Sequence, residues 1–248
     1  SLSMGTSAYG GSPESILCYD IVLPHGELLK TGSSAMKNSQ PFFRHYGPDL
    51  TGLFSGDAGA LGVKARITLR LIRHPSHTLT CSFGFKDYAS MSQGMAAAAR
   101  EQSVSSNWGL DPQLQQGQLG STTAKDAIQA AFAVLRTTRN PFEAIIQLGK
   151  MALAGKRFLT GFDYSAHFVV EGYSTAEVKS KLAQTRKAVG PHGTEIANTI
   201  PTVLGAMPFM ELYPILGPQG ERWVPMHGIV SFSKMQALHD SLMALYEE

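Results

Sequence analysis

Between Leu50 and Pro75 the chain reads LTGLFSGDAGALGVKARITLRLIRHP, and no other stretch restricts the fold as tightly. A helical turn from Asp49 to Phe54 leads into Gly56-Asp57-Ala58-Gly59-Ala60-Leu61-Gly62, with three glycines and two alanines in seven residues. An alternating strand follows. It sets Val63, Ala65, Ile67, Leu69 and Leu71 on one face and Lys64, Arg66, Thr68, Arg70 and Ile72 on the other. A glycine loop feeding a strand lets the backbone approach something flat or bulky, because no Cβ stands in the way. The aliphatic face is expected to pack on a core, with Lys64, Arg66 and Arg70 left in water or against an anion. A plain helix-to-strand joint is the blander reading of the same residues.

Two better-known loops are excluded. No Gly-Lys-Ser/Thr closes the run, so it is not the phosphate loop of nucleoside triphosphatases. The dinucleotide fingerprint needs its glycines between a strand and a following helix, and here the loop enters a strand.

Upstream, Tyr9-Gly10-Gly11-Ser12-Pro13 is dense turn chemistry. Ile16 to Leu23 reads as a buried strand, Pro24-His25-Gly26-Glu27 turns it, and Leu28 to Thr31 returns as the second arm of a hairpin. The loop from Gly32 to Pro48 is expected to be anchored by Phe42, Phe43 and Tyr46, with Arg44 and His45 in reach of an anion or simply solvated.

This ordered series resembles the FAD-binding domain of the vanillyl-alcohol oxidase and p-cresol methylhydroxylase flavoproteins. The matching motifs are Tyr9-Gly10, the run Ile16 to Glu27 with its Leu-Pro-x-Gly-Glu hairpin, Thr31-Gly32, and the glycine loop closing on Pro75. The resemblance implies FAD as cofactor, contacted by Gly5, Tyr9, Gly10, Gly56, Asp57, Gly59, Ala60, Leu61, Gly62 and Val63. It also implies that residues 3–75 are the second half of that domain, and that a substrate-binding cap domain follows and closes over the flavin. The family's pyrophosphate loop has no counterpart here, and Ser1-Leu2 reads as an expression scar, so the chain is expected to be a fragment, inactive alone. Gly11 stands where vanillyl-alcohol oxidase has an aspartate near the flavin, which argues against phenol oxidation by that route.

Beyond Pro75 the pattern changes. Strands are expected from Thr78 to Phe85, from Tyr164 to Glu171, from Thr194 to Ala197 and from Arg222 to Phe232, with one more in the polar stretch from Ser103 to Thr123. Asp87 caps a helix carrying Tyr88, Met91, Met95 and Ala98, and Ser174 with Glu177 forms a capping box for another, whose Val178 and Leu182 face inward. Further helices are expected from Ala124 to Arg136, from Pro141 to about Ala154, and from Ser233 to Tyr246. Strand–helix–strand, repeated, predicts an α+β fold in which residues 76–248 form part of a ferredoxin-like cap domain.

Within that region Arg222, Trp223 and His227 are candidate substrate contacts: a guanidinium for a carboxylate, an indole for a ring. A core tryptophan and a satisfied strand histidine are the competing explanation. No residue stands out as catalytic. His74-x-x-His77 has no acidic or cysteine partner nearby to make a zinc site, and no Gly-x-Ser-x-Gly elbow marks a hydrolase.

Composition narrows the class. In 248 residues, 43% apolar content supplies a core, and a net charge of +2 gives no footprint for nucleic acid or anionic lipid. No run is long and apolar enough for a membrane span. Cys18 and Cys81 each fall inside an expected strand as buried thiols, which favours the cytoplasm. By resemblance the function is hydride transfer from an alcohol, hydroxy acid or phenol to FAD, with oxygen or a cytochrome as acceptor. A non-catalytic ligand-binding module and a subunit of a hydroxy-acid dehydrogenase complex are the alternatives, and an open sheet edge would allow a homodimer.

Overall fold

The computed structural model describes residues 6–45, 47–114, 149, 161–206 and 228–247. The chain divides into two compact units, Ser1–Pro75 and Ser76–Glu248.

The first unit is a three-stranded antiparallel sheet in the order β2-β1-β3, built from β1 (Ile16–Val22), β2 (Leu28–Lys30) and β3 (Val63–Leu69). Single helical turns lie at α1 (Thr6–Tyr9) and α2 (Leu50–Leu53). The Asp49 carboxylate caps α2 by accepting from the Gly52 N–H at 2.9 Å, which satisfies an otherwise orphaned donor. The core gathers under β1, where Ile16, Tyr19, Ile21 and Phe54 are buried. Beneath it Thr51 Oγ1 donates to Thr31 Oγ1 at 2.8 Å, which in turn accepts from the Tyr19 N–H at 2.9 Å. Buried hydroxyls so paired cost little.

Two expectations fail here. The aliphatic face of β3 is not packed on that core: Val63, Ile67 and Leu69 are 69%, 50% and 53% exposed. Alternation marks two faces of a strand, and which one is covered depends on the layers present; the described core of this unit serves β1. Phe42 and Phe43, expected as anchors, are exposed as well. That loop is tied down by polar bonds instead, since Ser33 Oγ accepts from the N–H groups of both phenylalanines at 3.0 and 3.1 Å.

The second unit is a four-stranded antiparallel sheet in the order β5-β6-β4-β7. Its strands are β4 (His77–Phe85), β5 (Ser106–Leu110), β6 (Tyr164–Gly172) and β7 (Thr194–Ile196). Helix α3 (Tyr88–Arg100) follows β4 and α4 (Thr175–Val189) follows β6. Two strand–helix–strand units interleaved in this order make the ferredoxin-like α+β arrangement that the sequence pattern predicts.

The helix starts obey their local signals. Asp87 accepts from the Ser90 N–H at 2.7 Å and Ser174 from the Glu177 N–H at 3.2 Å. On one face of the sheet Cys81, Phe83 and Phe85 of β4 and Ala166, Phe168 and Val170 of β6 are buried with Met91 and Ala98 of α3 and Val178, Leu182 and Val189 of α4. Each large side chain so buried contributes about 1.5–3 kcal/mol. Two further helices are α5 (Thr199–Ala206), against β4 and β6, and α6 (Met235–Glu247), against α3.

The end of the expected C-terminal strand needs correcting, residues 222–227 lying outside the described residues. Residues 228–231 are not in a strand, and Phe232–Lys234 is a turn of 3-10 helix running into α6, so Ser233 lies inside that turn and does not cap the helix. The helices expected from Ala124 to Arg136 and from Pro141 to Ala154 lie outside the described residues, apart from Gly149. Among the described residues no helix is long and apolar enough to cross a membrane.

Candidate functional site

In the first unit the glycine loop between α2 and β3 is built around one aspartate. Asp57 Oδ1 accepts from the Gly59 N–H and Oδ2 from the Leu61 N–H, both at 3.1 Å, while its backbone carbonyl accepts from Ala60 at 2.9 Å. The Lys64 ammonium, four residues from Ala60 at the start of β3, closes the set with an ion pair to Oδ1. These contacts hold the Asp57 carboxyl below the usual carboxylate range, the Lys64 hydrogen bond contributing most. Asp57 therefore shapes the loop, and its charge is already neutralised.

Around that frame the glycines differ. Gly56 and Gly59 have φ of 76° and 83°, a backbone region that favours glycine, and a Cβ built on either would meet nothing within 4 Å. Gly62 is the reverse case: a Cβ there would lie 2.7 Å from Ile21 Cγ2 and 2.9 Å from the Val22 carbonyl oxygen, so the loop is pressed onto β1. The result is a shelf, Gly56 to Leu61, with open space beside Gly56 and Gly59. Ala60, Leu61 and Val63 are exposed along it. A flat ring system or a phosphate chain fits such a shelf, because neither a Cβ nor an unpaired carboxylate opposes it.

The other expected cofactor contacts are spread differently. Tyr9 and Gly10 sit at the end of α1, and a Cβ on Gly10 would meet Glu14 Cγ at 2.9 Å. Gly5 lies outside the described residues. Arg44, considered for an anion, is spent inside the unit: its guanidinium pairs with both oxygens of Asp49 at 2.9 and 3.1 Å and donates to the Pro13 carbonyl. The three expected substrate contacts, Arg222, Trp223 and His227, lie outside the described residues.

The second unit holds a polar group that the sequence reading missed. On the face of its sheet turned away from α3 and α4, the register brings Ser82 of β4 opposite His167 of β6, and Trp108 of β5 opposite His167 on its other side. Ser82 Oγ lies 2.9 Å from Nδ1 of His167, and Ser165 Oγ 3.2 Å from Nε2. All three residues are fully buried. Burial pushes the His167 imidazolium down to about 3, so the ring is neutral. The Trp108 ring stands 5.7 Å from the imidazole, tilted by 41°. Beside them Asn198, just before α5, donates to Thr80 Oγ1 at 2.9 Å.

The signal was present in part. Thr78, Thr80 and Ser82 alternate with Leu79, Cys81 and Phe83, as Ser165 and His167 do with Ala166 and Phe168. Alternation of that kind gives a polar face, but only the pairing of strands 85 residues apart joins its two halves. Among the described residues no group of three or more His, Cys, Asp or Glu side chains could hold a metal ion.

No family model matches the chain. A 77-residue segment is 39% identical to the mitochondrial D-lactate dehydrogenase (cytochrome) of Arabidopsis thaliana, covering 30% of this chain and 12% of that protein. The fold is shared with p-cresol methylhydroxylase, solved with substrate bound, at a TM-score of 0.51 and 17% identity over 82% of this chain. Alkyldihydroxyacetonephosphate synthase shares it at a TM-score of 0.50 and 13% identity over 83%. The chain spans only 40% and 34% of those two solved chains.

Proposed function

Because the chain has the fold of the p-cresol methylhydroxylase-type FAD-linked oxidases, we propose that it is part of an FAD-dependent oxidoreductase acting on a small hydroxy acid. The observation that carries the reading is the Gly56–Leu61 shelf, with two glycines whose missing side chains leave open space. In this reading Gly56, Gly59, Ala60, Leu61, Gly62 and Val63 hold the cofactor through backbone and surface, and Asp57 with Lys64 keeps the loop in shape. Tyr9 and Gly10, with Gly5, are further contacts. A bound flavin supplies a hydride acceptor. Residues 3–75 contribute to cofactor binding and residues 76–248 to substrate binding, with Arg222, Trp223 and His227 among the substrate contacts.

The hydroxy-acid substrate is supported by the similarity to the plant D-lactate dehydrogenase, whose name also points to a cytochrome as electron acceptor. Gly11, in place of an acidic group, weighs against a phenol. Cys18 and Cys81, both buried and free, support a reducing compartment such as the cytoplasm.

The test is the visible spectrum of the purified protein before and after excess FAD, followed by gel filtration, on residues 1–248 and on the intact gene product. Retained flavin absorbance that bleaches anaerobically with D-lactate is the expected result for the intact product. A gene product that stays colourless after FAD is added overturns the reading.

A further inference from the structure

Helix α6 outruns the helix it packs on. Its N-terminal half is fastened along α3 by ring contacts. The guanidinium of Arg100, the last residue of α3, lies 5.6 Å over the Phe232 ring, just before α6 begins. The His239 imidazole stacks on Tyr88, the first residue of α3, with ring centroids 4.0 Å apart and planes 13° off parallel. Tyr164 Oη lies 3.1 Å from His239 Nε2 and fixes the same point from β6. The two helices therefore run antiparallel, and at His239 the start of α3 has been reached. Residues 240–247 of α6 continue past it, about 12 Å of helix.

The overhanging half is not polar. At helical spacing Leu238, Leu242 and Leu245 form one stripe, with Met243 and Tyr246 beside it, while Asp240 and Glu247 fall on another. The five apolar residues range from 37% exposed at Leu242 to 71% at Tyr246. Together they leave roughly 500 Å² of apolar surface, the size of the largest patch on a typical monomer, where such patches are often functional.

We propose that this face is an interface between two copies of the protein, their α6 helices side by side and antiparallel about a two-fold axis near Leu242. Charge selects both the occupant and the direction. The stripe itself holds no charged residue, so two copies bring no like charges into the seam. Lys234 precedes the helix and Glu247 ends it. Antiparallel pairing sets the Lys234 end of each copy towards the Glu247 end of the other and opposes the two helix dipoles, whereas parallel pairing aligns like with like. A two-fold axis makes one patch complementary to itself, so no second surface is needed. Area sets the strength. The pair buries about 1,000 Å² in total, the low end for a specific interface, which gives a dissociation constant on the order of micromolar. None of these residues takes part in the functional reading above, so either can fail without the other.

The experiment is sedimentation velocity on the intact gene product from about 1 to 100 µM. A concentration-dependent equilibrium between monomer and dimer is the expected result. Leu242→Asp and Leu245→Asp each place a charge in the seam of both copies and should raise the dissociation constant at least roughly tenfold. Leu245 is already 63% exposed, so its variant reads the interface even if Leu242→Asp does not fold. Leu242→Cys should give a disulfide-linked dimer on mild oxidation, because the two-fold axis sets the two thiols face to face while Cys18 and Cys81 are buried. A product that stays monomeric across the range overturns the proposal, whether another part of the polypeptide or a different protein covers the face. So does a dimer that survives both aspartate variants, since it uses another surface. A dimer that both variants abolish but that Leu242→Cys does not cross-link overturns the antiparallel arrangement.

Discussion

Gly56 and Gly59 in the first unit and Gly84 and Gly193 in the second are glycines for opposite reasons. Beside the first pair there is open space, and what demands glycine is the backbone, at φ of 76° and 83°. Beside the second pair there is no space. The Phe162 ring occupies the position a Cβ on Gly84 would take, and a Cβ on Gly193 would lie 2.5 Å from Cε1 of Phe85. Gly84 and Gly193 are therefore held by close packing against aromatic rings, consistent with interiors packed like organic crystals. Gly56 and Gly59 leave a surface unfilled. The difference teaches where to look for a ligand: packing explains Gly84 and Gly193 completely, and it explains nothing about Gly56 and Gly59.

The largest effect is expected on the filled side. Gly84→Ala forces the Phe162 ring to move, an overpacking cost of about 3 kcal/mol. For a chain of this size each kcal/mol lowers the melting temperature by roughly 2–4 °C. A thermal melt that shows no loss would mean that Phe162 yields freely, and the contrast between filled and open glycines would collapse.

The first side of the comparison was far more legible in the sequence than the second. The run Gly56 to Gly62 announces itself, and the helix caps at Asp87 and Ser174 need only residues within one turn. Repeated strand–helix–strand periodicity was enough for the ferredoxin-like sheet. What stayed hidden depends on tertiary registration. Nothing local says that Ser82 pairs with His167, that Phe162 covers Gly84, or that the apolar face of β3 stays exposed. Each needs the partner strand, or the missing layer, before the side chain has a meaning. Asp57 lies between these cases. Its neighbours in sequence supply every partner it has among the described residues, yet a turn former and a ligand contact look alike until both carboxylate oxygens are seen to be used.

On the open side Gly59→Ala probes the shelf. No atom is displaced, so the cost is conformational, about 1 kcal/mol for placing a Cβ at positive φ. Ala58, at φ 53°, shows that this loop tolerates such a residue. The protein should therefore fold, melt slightly lower, and lose flavin to a degree that the small stability change does not account for. Equilibrium dialysis against FAD measures that directly. Unchanged flavin affinity would separate the open space from the cofactor and leave Gly59 a turn residue.

The smallest effect belongs to a glycine with neither property, and it decides whether the other two can be interpreted. Gly205 lies in α5 with nothing within 4 Å of an added Cβ and without a positive φ. Replacing it with alanine removes backbone freedom from the unfolded chain and should stabilise by about 0.4–1 kcal/mol, with the lower figure fitting a last-turn position. A higher urea midpoint at unchanged slope is the expected result. If Gly205→Ala stabilises, then open space by itself costs nothing, and the loss at Gly59 can be assigned to its backbone. If it destabilises, an unobstructed Cβ does not guarantee tolerance in this protein, and a loss at Gly59 no longer isolates the conformation of the loop.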